Sequence, residues 1–399
     1  MATSKFSPSR RSAVPRFQVM DIVGDVEAMK AQDYDVISLG AGEPSGGAPA
    51  AVNREAARLH NADVPIFNYT PSLGTRKLRE AIAGHYRRWY DLEIGYESVA
   101  VTTGSSGAFV ASFLAAFDVG DRVGLARPGY PAYRNILRAL DVDVVDLPAG
   151  VESNFRFDVN RLAECHAQQP LDGLILASPN NPTGTMVPRE DMRQLAIWCA
   201  ENGVRLISDE IYHGITFGED RGTSAWEYDR NAIVISSFSK YWGMPGWRLG
   251  WMLMPEDLAP AVSGLAGSIS LCPPAAGQYA AIAAFTDDAY AEADAEVAEF
   301  ARTRQLVLDN VERLEWRNAA PADGAFYYYA QPSKKILNHY GNTVAYAADM
   351  LQRAHVAVIP GVDFDGVEGD QFIRISFAAG YEAVARAIER IVEFNATID

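Results

Sequence analysis

Ser236-Ser237-Phe238-Ser239-Lys240-Tyr241-Trp242-Gly243-Met244-Pro245-Gly246-Trp247-Arg248 is the stretch whose reading decides the fold. Just ahead of it, Ala232-Ile233-Val234-Ile235 is wholly apolar, the pattern of a short strand buried on both faces of a parallel sheet. A lysine released at the end of such a strand stands where open α/β sheets bind their ligands. Lysine is also the side chain that forms imines with carbonyl compounds. By itself the tetrapeptide ending in Lys240 reads as a surface turn; its meaning comes from the rest of the chain.

Working outward, the pattern of strand, polar turn and helix repeats. A strand over 98–102 runs into Thr103-Gly104-Ser105-Ser106-Gly107 and a buried helix over 108–117. Free N–H groups at such a helix start, with serine hydroxyls beside them, suit an anion, although alone the turn is equally a helix cap. It has neither the glycine spacing of a dinucleotide fingerprint nor the lysine of a P-loop. A strand over 122–126 ends in Arg127-Pro128-Gly129-Tyr130-Pro131-Ala132-Tyr133, and another follows over 142–147. Residues 174–177 lead into Ser178-Pro179-Asn180-Asn181-Pro182-Thr183-Gly184, too rich in proline for a helix. After a helix over 192–200, the strand 204–207 ends in Ser208-Asp209-Glu210-Ile211-Tyr212-His213, and a last strand of this set covers 249–254. Strands alternating with helices at this rhythm predict βαβ units and a largely parallel sheet. Upstream, 14–31 suits an amphipathic helix, 36–39 a brief strand, and 50–60 and 75–89 two helices. Downstream, 278–314 reads as one long Ala-rich helix, with strands over 325–329, 356–359 and 372–377.

Composition excludes several classes. A formal charge of −16 is unsuited to nucleic acid, which demands clustered Lys and Arg. No apolar run is long enough to cross a bilayer. Cys165, Cys199 and Cys272 lie far apart without CxxC spacing, and the six histidines form no HExxH, so neither a disulfide framework nor a metal centre is expected. Residues 1–11 are expected to be mobile. The first seventeen carry Lys5, Arg10, Arg11 and Arg16 and no acid, a bias shared with transit peptides, but they contain no apolar secretion signal; the reading favours the cytoplasm.

Every turn quoted above follows a predicted strand, and in a doubly wound sheet those ends face one crevice. It would collect the anion site at Ser105 and Ser106 with Asn181, Asp209, Tyr130, Tyr212, Lys240 and Arg248. A ligand using all of them carries a phosphate, an aromatic face, a basic ring nitrogen, a phenolic oxygen and an aldehyde. Pyridoxal 5'-phosphate has all five, whereas sugar phosphates lack the ring nitrogen for Asp209.

In this order Gly42-Glu43-Pro44, Tyr69-Thr70-Pro71 with Gly74, Gly104-Ser105-Ser106, Pro128 with Tyr130, Asn181-Pro182-Thr183-Gly184, Asp209-Glu210-Ile211-Tyr212, Ser237-Phe238-Ser239-Lys240 with Arg248, and Arg374-Ile375-Ser376-Phe377 resemble the class I/II aminotransferases, the fold-type-I family of pyridoxal-phosphate enzymes. The resemblance runs from Leu39 to Phe377. It implies an α/β fold: a large doubly wound, mostly parallel sheet domain over 46–288, and a smaller α+β domain formed by 1–45 and 289–399. It further implies that Lys240 holds the cofactor as an internal aldimine and moves the proton between Cα and C4′, and that Asp209 pairs with the pyridine nitrogen. Asn181 and Tyr212 would bond the phenolic oxygen, and Tyr130 would stack on the ring. Ser105, Ser106, Ser237 and Arg248 would hold the phosphate, joined by Tyr69 from the neighbouring subunit of a homodimer. Arg374 would take the substrate α-carboxylate, with Gly42 and Asn181 nearby. The Asn181-Pro182 bond is expected to be cis, to aim the Asn181 amide at the ring. His213, Trp242 and Trp247 are expected only to pack.

Two departures bear on substrate. Ser45-Gly46-Gly47 stands where many relatives have Asp-Phe, leaving the entrance loop unassigned. No arginine or lysine occurs between Arg248 and Arg302 to meet a side-chain carboxylate, unless Arg10, Arg11 or Arg16 folds over the site. The expected donor is therefore a neutral, aliphatic or aromatic L-amino acid, and the acceptor a 2-oxo acid. Two other readings remain: a β-eliminating lyase on the same scaffold, and a regulator with an aminotransferase-like body, for which the segment before Val36 is too short to hold a DNA-binding domain.

Overall fold

The structure, a computed structural model, describes residues 6–61, 68–218 and 220–398. Phe67, at the head of the Tyr69 turn, and the first five residues of the segment expected to be mobile lie outside the described residues. Within that segment, Arg10–Ser12 forms a 3-10 turn and Arg11 pairs with Asp141 at 3.0 Å.

The apolar runs become seven strands, hydrogen-bonded in the order Val99–Thr103, Leu249–Leu253, Ile233–Ser237, Arg205–Asp209, Gly173–Ala177, Arg122–Arg127, Asp143–Pro148. All neighbours pair in parallel except Leu249–Leu253, which is antiparallel to both of its neighbours. Connection length explains the exception. A parallel crossover takes a dozen or more residues, usually as a helix. Between Ser237 and Leu249 the chain makes only tight turns and the 3-10 helix Pro245–Trp247. A strand that runs backwards begins where its neighbours end. Arg248, immediately before it, is thus set at the same edge of the sheet as Asp209 and Ser237, which end theirs.

Ile233–Ser237 and Leu249–Leu253 are buried at every position, which is why they read as continuous apolar runs without alternation. Each fully buried large aliphatic contributes roughly 1.5–3 kcal/mol, whereas exposed ion pairs such as Arg313–Glu389 are screened by water and contribute little. Core packing, then, is what fixes the edge that carries Asp209, Ser237 and Arg248.

A second sheet, antiparallel, orders Ile359–Pro360, Ile373–Ser376, Tyr327–Pro332 and Trp316–Arg317. Ile37–Ser38 pairs in parallel with Val356–Ala357, so the early strand joins the C-terminal part of the chain. The expected strand over 356–359 is in fact two short strands belonging to different sheets.

The continuous helix expected over 278–314 is broken. It consists of Ala275–Ala281, the 3-10 turn Ile282–Phe285 and Asp287–Asp309. Thr286 is extended (φ −80, ψ 154) and donates its hydroxyl to the Ala283 carbonyl at 2.9 Å, while Asp287 and Asp288 open the next helix where its dipole favours acids. Alanine content masked the stop. The buried helix after the first strand begins at Gly104, four residues earlier than expected, so the Ser105-Ser106 turn is its first turn.

Gly250 is where that helix start meets the reversed strand. A Cβ there would lie 2.6 Å from both Gly104 C and Ser105 N, and backbone cannot rotate away as a side chain can. Replacing Gly250 by Ala is expected to lower stability by about 1–3 kcal/mol, read from urea unfolding at constant slope. An unchanged midpoint would mean that the helix start has room to give.

Candidate functional site

Asp209 ends its strand at the floor of a cavity of about 330 Å³. One carboxylate oxygen accepts the Ile211 N–H at 3.1 Å and the other accepts the Tyr133 hydroxyl, so both hydrogen-bond partners are neutral donors. Burial pushes the acid up to about 6, against those two bonds and the nearby Lys240 charge.

Lys240 stands on the wall. Its Nζ donates to the Gly42 carbonyl at 2.6 Å and lies 5.7 Å from the centre of the Tyr212 ring. Burial first, then the Arg374 charge, hold the amine down at about 8, while Glu43 and Asp209 pull the other way. An amine that loses its proton so near neutrality can serve as nucleophile or base.

A third region gathers anion donors. Ser105 and Ser106, in the first turn of Gly104–Ala116, line the cavity together with Ser239 and Arg248. Gly104 has φ +66, and a Cβ there would meet Arg248 Nη2 at 2.4 Å, so the guanidinium occupies space a side chain would take. Ser237 stands behind Ser239 instead of on the wall. Its hydroxyl donates to Ser239 Oγ at 2.7 Å and accepts the Ser239 N–H at 2.9 Å.

Arg374, 3 % exposed, comes from the antiparallel sheet. Nη1 donates to Asn181 Oδ1 at 2.9 Å and Nη2 to the Gly40 carbonyl at 2.8 Å. Its guanidinium carbon lies 4.5 Å from the centre of the Tyr327 ring and 4.7 Å from that of Phe364. Nε is buried without a partner among the described residues. A buried cation with an unmet donor is costly, and a carboxylate is the group that would satisfy it. With Asn181 Oδ1 taken by Arg374, the amide offers a ligand its donor side. The Asn181-Pro182 bond is cis, as are Arg127-Pro128 and Ser178-Pro179.

Every residue expected at the site lines this cavity except Ser237 and Tyr69; Tyr69 is 82 % exposed. His213 stays off the wall, its titration pushed down to about 4 by burial, and Trp242 packs with Nε1 donating to the Ala284 carbonyl at 2.9 Å.

Sequence reasoning missed five aromatic residues on the cavity, among them Phe109, which packs on Tyr133 with ring centroids 5.0 Å apart. Tyr133, three residues after Tyr130 in the helix Pro131–Ala139, holds Asp209. Tyr327 meets the Tyr212 hydroxyl at 2.7 Å. Phe364 covers Arg374. Phe17, at the start of helix Gln18–Lys30, faces Tyr130 with centroids 6.4 Å apart and planes at 26°. Only the helical spacing of Tyr133 left a trace in the sequence; the others depend on pairings remote along the chain.

The model of the family described as aminotransferase class I and II matches residues 34–391. The valine–pyruvate aminotransferase of Mycobacterium tuberculosis is 44% identical over 383 residues, covering 96% of each chain. A crystal structure of an aminotransferase from Mycobacterium tuberculosis superposes with a TM-score of 0.93 at 43% identity, over 98% of this chain and 99% of that one. An aspartate aminotransferase from Thermus thermophilus, solved with maleate, gives 0.90 at 27% identity, over 97% and 99%. Motif order, cavity and likeness converge: this chain belongs to the class I and II aminotransferase family and has its fold-type-I architecture.

Proposed function

We propose that this aminotransferase uses pyridoxal 5'-phosphate to move the amino group of a neutral, apolar L-amino acid to a 2-oxo acid, and works as a cytoplasmic homodimer. The observation that carries the reading is the sharing of one cavity by a buried acid with neutral partners, an amine titrating near 8 and a cluster of anion donors.

The residues fit the cofactor. Ser105, Ser106, Arg248 and the Ser237–Ser239 pair would hold its phosphate, and Tyr130 would lie against its ring. Asp209 would face the ring nitrogen, the cation its burial calls for. Asn181 and Tyr212 would donate to the phenolic oxygen. Bound there, pyridoxal phosphate supplies an electron sink for negative charge at the substrate Cα. Lys240 would carry the cofactor on Nζ and, once displaced by the amino acid, take the Cα proton on the same atom. Arg374 would hold the α-carboxylate and so aim the Cα–H bond. Phe17, Val19 and Met20 line one side of the cavity.

Three cations line the cavity, Lys240, Arg248 and Arg374, and each already has a task. None of the arm residues Arg10, Arg11 and Arg16 is among the residues lining the cavity, and Arg11 is paired with Asp141. A second substrate carboxylate would be buried against Phe17, Val19, Met20 and Phe364 without a cation. The name of the 44% identical relative supports a branched aliphatic donor and a small acceptor. For the dimer, the support is exposed apolar surface: Ala259–Ser270 buries only Val262, and Ile269, Leu271 and Tyr69 are exposed. The seven-stranded sheet within 99–253 and the two smaller sheets outside it support the division into 46–288 and its flanks.

Three outcomes are expected. Lys240→Ala should cut turnover by roughly 10²–10⁴-fold or more in a coupled assay, and a variant at wild-type rate would remove the assigned base. In a donor panel, valine, leucine or phenylalanine should outrun aspartate and glutamate; the reverse order would reject the neutral pocket. Labelling of Lys240 by an amine reagent in cofactor-free protein should rise through about pH 8, where its neutral form appears, instead of near about 10.4 as for an ordinary lysine.

A further inference from the structure

Asp209 can serve a cationic ring only while it is ionised and aimed. Burial opposes the first condition, and a carboxylate at the end of a strand is free to rotate unless something fixes its plane. We propose that Tyr133 is a positioning residue for the reaction: its hydroxyl, donated to Asp209 Oδ2, keeps the carboxylate anionic and sets its orientation under the cofactor ring. The inference rests on the assignment of Asp209 to the ring nitrogen.

Three observations carry it. Asp209 Oδ1 is committed to the Ile211 N–H at 3.1 Å, so a second donor on Oδ2 fixes the plane of the group from both ends. Tyr133 is itself held. It is 5 % exposed, its ring meets Phe109 at 5.0 Å and 66° and Tyr130 at 5.4 Å and 80°, and it sits on the helix Pro131–Ala139. One side chain thus braces both the acid and the ring-facing Tyr130. Finally, the proton stays on the tyrosine. Burial first, then the neighbouring Asp209 charge, push the phenol far above its ordinary value, so it is a donor at every working pH. A donor to the charged form lowers a carboxylic acid, opposing the upward push of burial on Asp209.

Tyr133→Phe keeps the ring and removes the hydroxyl, so packing against Phe109 and Tyr130 is retained. Without the donor, Asp209 takes up its proton at higher pH, and cofactor affinity is lost sooner as pH falls. Lys240, Arg248, Arg374, Tyr130 and Tyr212 line the same cavity and are common to both proteins, so their titration cancels in the comparison. The affinity for pyridoxal 5'-phosphate, followed by its visible absorption, should be about tenfold weaker in Tyr133→Phe near pH 6, with the gap narrowing toward about pH 8.5. The acid limb of the holoenzyme's absorption profile should move upward with it. Tyr133→His, which restores a donor, should recover part of the difference. Asp209→Asn provides the reference. If it binds weakly while Tyr133→Phe matches wild type in affinity and pH profile, Tyr133 has no such role and the Asp209 reading stands. If Asp209→Asn also matches wild type, the Asp209 reading falls, and this inference with it.

Discussion

A carboxylate taken out of water at the carboxyl edge of the sheet is the constraint on which the other features depend. Asp209 sits on the middle strand of seven, buried, and lines the cavity. An uncompensated buried charge costs several kcal/mol, and neutral donors such as Ile211 N–H and Tyr133 O–H offset only part of that. The remainder must come from whatever enters the cavity. The reversed strand then supplies the opposite polarity at the same edge, because it starts where the parallel strands stop and brings Arg248 with it. The sheet thus presents an acid and a guanidinium at one edge, and the topology, more than any single residue, brings them into one cavity, as the proposed cofactor would require.

The second sheet enters the site by register. Tyr329 lies opposite Arg374 and Tyr327 opposite Ser376, so Tyr327 and Arg374 are diagonal neighbours on one face. The loop bearing Phe364 is fastened to the large sheet by the buried Arg127–Asp365 pair at 2.6 Å and by Gly129 N–H donating to the Phe364 carbonyl at 3.0 Å. Removing one partner of such a pair leaves the other buried and unpaired, so this joint is strong against local loosening. Its Gly129 is adjacent to Tyr130, which couples the placement of the two aromatic walls.

What the sequence disclosed follows the range of the interactions. Lys240, Asp209, Asn181 and Ser105 were legible because each is placed by its own strand-and-turn unit, and turn chemistry is written in adjacent residues. The reversed direction of Leu249–Leu253 was open to the same reasoning, since it follows from the shortness of one connection. The break at Thr286 was hidden because alanine satisfies helix, 3-10 turn and core alike. Tyr327 and Phe364 were illegible for a different cause: their positions are set by sheet register and by a buried ion pair between residues more than two hundred apart. Ser237 shows a finer limit, for the motif identifies the serine turn while only the hydroxyl directions tell which serine faces the cavity.

The clamping of Arg374 between Tyr327 and Phe364 has a consequence for what the pocket refuses. A guanidinium stacked on two rings and tied to Asn181 and Gly40 is held in place before any ligand arrives. A primary amine that has lost its carboxylate would fit the apolar walls as well as the parent amino acid does, yet it would leave that cation stranded. If Arg374 takes the α-carboxylate as proposed, a penalty of about 3–5 kcal/mol for an unanswered buried charge would turn such amines away by roughly a hundredfold or more although they carry the same side chain. On the proposed role of Arg374 the chain would select for the zwitterion, and would do so through two ring faces that hold the guanidinium.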